Sequence, residues 1–277
     1  MPEELLYGLI VGVFVGSAAG YLGSIMISKH MALVGDALSH VALPGLALGI
    51  LFNFNPFIGA FAFLAVTAIV TWYLEKSTTL SVEAIIGVLF VLALAIGILI
   101  TPQVALLEAL FGDISKVTLT DTIVTASVSI FVILVTRMIY DNLALSMISR
   151  ELAVSSGIKV EQVNLIYLLL VAMIVAVGIK EVGTILVGAV VIVPAAAARN
   201  VSSSLYRYSF LSAFFGVISA VCGVLLSSYV KFPAGPIVVI VGAVIFAVGL
   251  SASSIYRKYQ RTIQTQNKES TSITSEP

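Results

Sequence analysis

Nine apolar segments divide this chain from end to end: residues 5–27, 31–51, 56–74, 83–101, 118–139, 163–179, 184–198, 208–230 and 236–255. A helix crosses the roughly 30 Å hydrocarbon core of a bilayer with about 20 apolar residues. Inside that core no water pairs with backbone N–H and C=O groups, so a span is either a helix or part of a closed barrel. Barrel strands are short and alternate polar with apolar residues; these runs do neither. With 60% hydrophobic and 10% charged residues, the chain also lacks the charge a soluble domain of 277 residues needs to cover its surface. The expected fold class is all-α integral membrane, a polytopic bundle of eight or nine transmembrane helices. The count turns on the short segments 163–179 and 184–198, with Lys180-Glu181-Val182-Gly183 between them. They are two spans or one broken, partly re-entrant unit.

Several function classes fall away. The formal net charge is zero, so nothing attracts nucleic acid. Cys222 is the only cysteine, so no disulfide forms within the chain. The first apolar stretch is long, follows Glu3 and Glu4, and lacks a basic leader, so no cleavable signal is expected. Residues 1–256 read as one transmembrane domain, and the polar, Ser/Thr-rich residues 257–277 as a disordered cytoplasmic tail. Basic residues concentrate on the cytoplasmic side of membrane proteins. If the nine segments alternate and the tail is cytoplasmic, Lys29, Lys76, Arg137, Arg150, Lys159, Arg199 and Arg207 join Arg257, Lys258, Arg261 and Lys268 there. Only Lys116, Lys180 and Lys231 then lie outside, eleven basic residues against three of the fourteen. The localisation expected is a multi-pass cell-membrane protein with a cytoplasmic C-terminus.

Gly8, Gly12, Gly16 and Gly20 recur every fourth residue and line one face of the first helix, inviting a close backbone approach. That face is either a moving or dimerising interface or an ordinary helix contact. Phe232-Pro233-Ala234-Gly235-Pro236 reads as a turn opening the last helix, with proline in its first positions.

The chemistry concentrates at residues 31–45, where Asp36 and His40 stand four apart on one helix face. They lie about 6 Å apart along the axis. An aspartate within a span costs roughly 2.5–3.5 kcal/mol on insertion scales, so such residues face a partner or a wet path. Carboxylate and imidazole together suit zinc, manganese or iron(II). Pro44-Gly45 is a place where the helix unwinds and frees carbonyls for an ion. The plainer reading is that Asp36 caps a helix after Gly35 and hydrogen-bonds His40. Two ligands do not complete a site; the others come from elsewhere in the chain, from water or from a second copy.

Other ionisable residues are less telling. Glu108 and Asp113 fall in a segment placed outside, either as a vestibule that attracts cations or as solvated acids. Lys180 and Glu181 are adjacent, so they share no helix face and suit an exposed helix break. His30, beside Lys29, sits at a membrane interface. Residues 149–158 have a short helical pattern with Gly157 as its stop, a handle for a cytoplasmic partner or a plain interfacial helix. No GxxxxGK[ST], HExxH or GxSxG is present. A P-loop is thereby excluded, and the pattern argues against the common intramembrane metalloprotease and serine hydrolase chemistries.

Four stretches, in order, resemble the permease subunits of metal-ion ABC importers: residues 31–49 (MALVGDALSHVALPGLALG), 111–117 (FGDISKV), 182–199 (VGTILVGAVVIVPAAAAR) and 232–239 (FPAGPIVV). The likeness runs to about residue 256. It implies a homodimer, two cytoplasmic ATPase subunits and an external metal-binding protein that delivers the ion. It further implies that Asp36 and His40 contact metal transiently on a translocation path, with no permanently bound cofactor and no covalent chemistry in this chain. The loop carrying Arg150, Glu151, Ala153 and Gly157 is similar to the family's coupling helix, which docks on the ATPase. Ser149-Arg150 departs from the aromatic–acid pair many relatives have there, and Lys180-Glu181 is more charged than the usual pattern.

Three other readings stand beside this one. A permease for a larger metal chelate or siderophore needs no Asp/His pair. A secondary cation transporter would use Asp36 and His40 as a proton relay. An intramembrane metalloenzyme would hold its metal tightly. Among metals, the donor types disfavour only copper(I).

Overall fold

The computed structural model describes residues 3–100, 110, 117–230 and 232–251, and within these every regular element is a helix. In chain order they are α1 (Glu3–Ser28), α2 (Ala32–Val41), α3 (Leu43–Leu51), α4 (Pro56–Ser77), α5 (Val82–Ile100), α6 (Leu119–Ile148), α7 (Arg150–Ser155), α8 (Val160–Val182), α9 (Thr184–Val201), α10 (Leu205–Val230) and α11 (Ala234–Ser251). Eight stretches among the described residues are long and apolar enough to cross a membrane, α2 and α3 together forming one of them, Ala32–Leu51. The expected tail, residues 257–277, and the acids Glu108 and Asp113 lie outside the described residues.

The question of one broken unit or two helices is settled at Gly183. Its φ of 76° ends α8, and its amide donates to the Ile179 carbonyl at 2.8 Å. Only glycine holds such a backbone without strain. The chain then turns back, so that a Cβ on Gly178 would lie 2.8 Å from a methyl of Val187. From this turn α9 runs 18 residues to Arg199 and Val201. At 1.5 Å per residue that is about 27 Å, close to the hydrocarbon thickness. Helices α8 and α9 therefore form a hairpin of two antiparallel helices. Lys180 and Glu181 ride in the last turn of α8, one turn before the break.

Three other reversals use one hydrogen-bond pattern. After α1, the Met31 amide reaches the Met26 carbonyl at 2.9 Å while His30 takes φ 61°. After α3, Phe54 reaches Gly49 at 3.0 Å with Asn53 at φ 53°. After α7, Ile158 reaches Ala153 at 3.0 Å with Gly157 at φ 81°. Each satisfies carbonyls that a helix end leaves unpaired. His30 is exposed, as its interfacial assignment requires, and its conformation makes it the turn residue between α1 and α2.

Helix α8 forms the centre. Sixty-seven per cent of its span is buried, against 22% for α5, whose outer residues Val88, Val91 and Leu99 face outward. A helix apolar all round belongs in a core or in lipid, and burial separates the two here. The glycine face of α1 packs on α10 within the same chain, so these glycines make an ordinary helix contact and not a dimer seam. A Cβ on Gly16 would meet the Gly216 carbonyl oxygen at 2.6 Å. Hydroxyls close this contact: Ser24 Oγ donates to Ser209 Oγ at 2.8 Å, and Ser212 Oγ donates to the Gly20 carbonyl.

Basic residues grouped by the sequence meet at one end of the bundle. Lys76 and Arg150 each lie 3.7 Å from Glu161, and the Lys29 amine donates to Asn164 Oδ1. Arg137 and Arg199 cover the rings of Tyr206 and Tyr208 at 5.7 and 5.3 Å. Helices α1 and α9 finish at this basic end, and α2, α8 and α10 start from it.

Candidate functional site

Helix α2 rises from the basic end in the space between α5 and α9. Its N-cap is Met31, which makes no side-chain capping bond. Asp36 thus sits in mid-helix, which removes the reading of it as a cap. No hydrogen bond or ion pair holds its carboxylate among the described residues, and the only nearby polar contact is from Ser39 Oγ to the Asp36 main-chain carbonyl at 2.6 Å. The acid and the imidazole do not bond each other. Asp36 is half-buried in the wall of the bundle.

Its position is set by a glycine on the facing helix. A Cβ on Gly188 of α9 would lie 2.6 Å from Asp36 Cα and 2.7 Å from Asp36 Oδ1. Any larger residue there would push the acid away. One residue earlier on α2, Gly35 fits beneath the Met26 sulfur and Val191. His40, one turn on, packs its ring on Phe90 of α5, with centroids 5.5 Å apart and planes tilted by 53°. Its Nδ1 is buried without a hydrogen-bond partner. A buried polar atom left unpaired costs about 1–3 kcal/mol, and His40 Nδ1 is one of several such atoms among the described residues.

The expected unwinding at Pro44-Gly45 does not occur. Ala42 alone separates α2 from α3, and its φ of −68° and ψ of −21° are helical. Pro44 sits in the first turn of α3, where its missing N–H is tolerated, and the Leu46 amide still reaches the Ala42 carbonyl at 3.0 Å. Carbonyls are not freed there for an ion. Among the described residues no three His, Cys, Asp or Glu side chains come together closely enough to hold a metal, so Asp36 and His40 lack a third ligand of those types.

The short helix expected near residue 150 is α7. Ser149 caps it by accepting from the Leu152 amide at 3.1 Å. Ala153 is fully buried and anchors it, while Leu152 and Val154 are more than half exposed. Arg150 pairs with Glu161, Glu151 is exposed, and Gly157 makes the stop. Beside it opens a cleft of about 440 Å³ whose polar lining includes Lys29, His30, Glu75, Glu83, Arg150 and Asn164. Burial in this loop pushes the Lys29 ammonium down to about 8, against an opposing pull from Glu75. Sequence reasoning missed Gly188, Phe90 and the Lys29–Asn164–Glu75 cluster, because a glycine or phenylalanine in an apolar helix carries no signal by itself.

Comparison with known proteins places the chain. The model of the ABC 3 transport family matches residues 1–253. The manganese transport system membrane protein MntC of Halalkalibacterium halodurans is 32% identical over 97% of this chain and 94% of its own length. The high-affinity zinc uptake system membrane protein ZnuB of Haemophilus influenzae is 31% identical over 90% of this chain and 98% of its own. The solved structure of PsaBC from Streptococcus pneumoniae, in complex with a Fab, superposes with a TM-score of 0.78 at 31% identity, covering 88% of this chain and 90% of that one.

Proposed function

This chain belongs to the ABC 3 transport family, and from that premise we propose that it is the membrane-spanning permease of an ATP-driven importer of manganese or zinc. The observation that carries the reading is the pair on α2: a carboxylate without a hydrogen-bond or ion-pair partner among the described residues and, one turn along, a buried imidazole nitrogen likewise without one among them. Structural charges inside a bundle are paired; uncommitted ones belong to a path.

In this reading Asp36 and His40 are transient ligands of the passing ion. A transported ion has to bind well enough to enter and weakly enough to leave. An incomplete donor set, completed by water or by the same pair in a second copy, meets that requirement better than a closed site. ATP is hydrolysed by two separate subunits at the basic end, which is then cytoplasmic, as is the C-terminus. The eleven-to-three bias of basic residues supports that orientation. The exposed Leu152 and Val154 of α7, flanked by Arg150 and Glu151, offer the ATPase an apolar contact with a charged rim, the usual make-up of a docking face. At the opposite end an external metal-binding protein delivers the ion.

The test is uptake of manganese(II) and zinc(II) by the permease reconstituted with its ATPase, comparing Asp36→Ala and His40→Ala with the parent at equal membrane abundance. Loss of ATP-dependent uptake in each is expected. Unchanged uptake in both would sink the site, and uptake without any ATPase would sink the importer.

A further inference from the structure

Helix α2 carries Asp36 and His40, yet its first turn has no side-chain cap. The corner that leads into it from α1 is gripped instead by α8. The Lys29 amine donates to Asn164 Oδ1 and lies 5.5 Å from the centre of the Tyr167 ring. Tyr167 is fully buried and donates its hydroxyl to the Leu22 carbonyl of α1 at 3.0 Å.

Asn164 and Tyr167 belong to a series on α8. Glu161, Asn164 and Tyr167 are spaced three apart, so each is a neighbour of the next on the helix surface. Glu161 opens the series and lies 3.7 Å from both Arg150 of α7 and Lys76 of α4. Asn164 Nδ2 is 3.5 Å from Glu75, the residue beside Lys76. One end of the series therefore holds the short helix α7, and the other holds the corner from which α2 rises. Lys29, Glu75, Arg150 and Asn164 line the cleft between these two ends. Helix α7 packs on α6 and α8, and α8 in turn packs on α1, α2 and α4. Exposed ion pairs such as Arg150–Glu161 add little to stability, so the meaning of the series lies in what it joins.

We propose that Asn164 is a positioning residue, coupling the ATPase-docking helix α7 to the metal-bearing helix α2 by holding Lys29 on α8. The inference rests on the transport reading above and names the contact through which α7 acts on α2. A displacement of α7 pulls through Arg150 on Glu161 and the first turn of α8. Asn164 passes it to Lys29 and the foot of α2. Asp36 stands only about 6 Å up the axis from Ala32, so a shift at the foot changes where its carboxylate is presented. An amide suits this place because it accepts from the amine and donates toward the acid without a charge of its own.

The experiment records manganese(II) uptake and ATP hydrolysis in the same proteoliposomes, made from the permease and its ATPase. The readout is metal moved per ATP hydrolysed, for the parent, Asn164→Leu, Asn164→Asp, Glu161→Ala and Asp36→Ala. Leucine offers Lys29 no acceptor, so the ratio should fall about five- to tenfold while ATP hydrolysis continues. Aspartate retains that acceptor and should keep the ratio near the parent's. Glu161→Ala cuts the α7 end at a half-exposed position and should lower the ratio in the same direction, which decides the matter if the leucine variant does not fold. A residue that only stabilised the bundle would lower both rates together and leave the ratio unchanged. If Asp36→Ala abolishes uptake while leucine keeps the parent's ratio, or aspartate loses it as fully as leucine, Asn164 does not couple the helices and the transport reading stands. If Asp36→Ala transports at the parent's rate, both fall together.

Discussion

Two seams in this protein bring helix backbones together through glycine, α1 on α10 and α2 on α9. In the first, Gly16 and Gly216 face each other reciprocally, and the serine hydroxyls at its edge are bonded to carbonyls or to one another. In the second, Gly188 faces an aspartate, and His40 Nδ1, one turn along α2, is buried without a partner among the described residues. In the first seam the hydroxyls of Ser24, Ser209 and Ser212 are all bonded. The second uses the same close approach to seat an aspartate whose carboxylate has no hydrogen-bond or ion-pair partner among the described residues. Small residues in a membrane bundle thus serve packing or access, and what separates the two is whether the polar atoms they bring near are paired.

Breaking the first seam should have the largest effect. Gly16→Leu drives a side chain into the Gly216 carbonyl; overpacking costs about 1–3 kcal/mol or more, and lipid offers α1 no alternative partner for the same face. Loss of monodisperse protein in detergent, read by size-exclusion chromatography, is the expected outcome. Gly188→Ala, to be set beside Gly16→Ala, is the change in the second seam. A single methyl there displaces Asp36, so folded protein should be recovered while metal uptake falls about 10- to 100-fold. Equal loss of folded protein from both variants would erase the distinction between the seams.

A change outside both seams should be smaller. Leu152→Asp on α7 adds charge to an exposed apolar face, so metal-stimulated ATP hydrolysis should drop about tenfold with the permease still folded. The smallest effect belongs to Lys29, at the root of α2. Its pKa is held at about 8 in the folded protein, below the ordinary 10.5, so between those values the unfolded chain binds more protons. The stability linked to Lys29 is then fully present above 10.5 and is lost as pH falls through 8. The melting temperature of the parent minus that of Lys29→Met should rise across that window; a flat difference would show the amine to be solvated.

Much of the fold was legible because lipid imposes a severe rule, helices of a given length with few charges. Asp36 and His40 were legible for the same reason, since polar residues in such a helix are expensive and few. The α7 turn was legible from Gly157. Legibility ended where the signal was a small or neutral residue. Gly188 lies in a run of valines and alanines where nothing local distinguishes it from a packing residue. Pro44-Gly45 pointed to an unwound helix, but proline early in a helix gives up only an N–H that has no partner there, so α3 follows α2 with helical geometry.

By itself the sequence determined that the chain lives in a bilayer as a helical bundle, that its basic residues favour one end, and that Asp36 and His40 stand on one face. Those follow from hydrophobic length, charge placement and helical periodicity, all local properties. Only the tertiary structure decided which helix the glycines of α1 meet, that α8 and α9 form a hairpin, that Gly188 faces Asp36 and that the His40 ring packs on Phe90. Contacts between distant segments depend on how whole helices pack, and no short pattern encodes that.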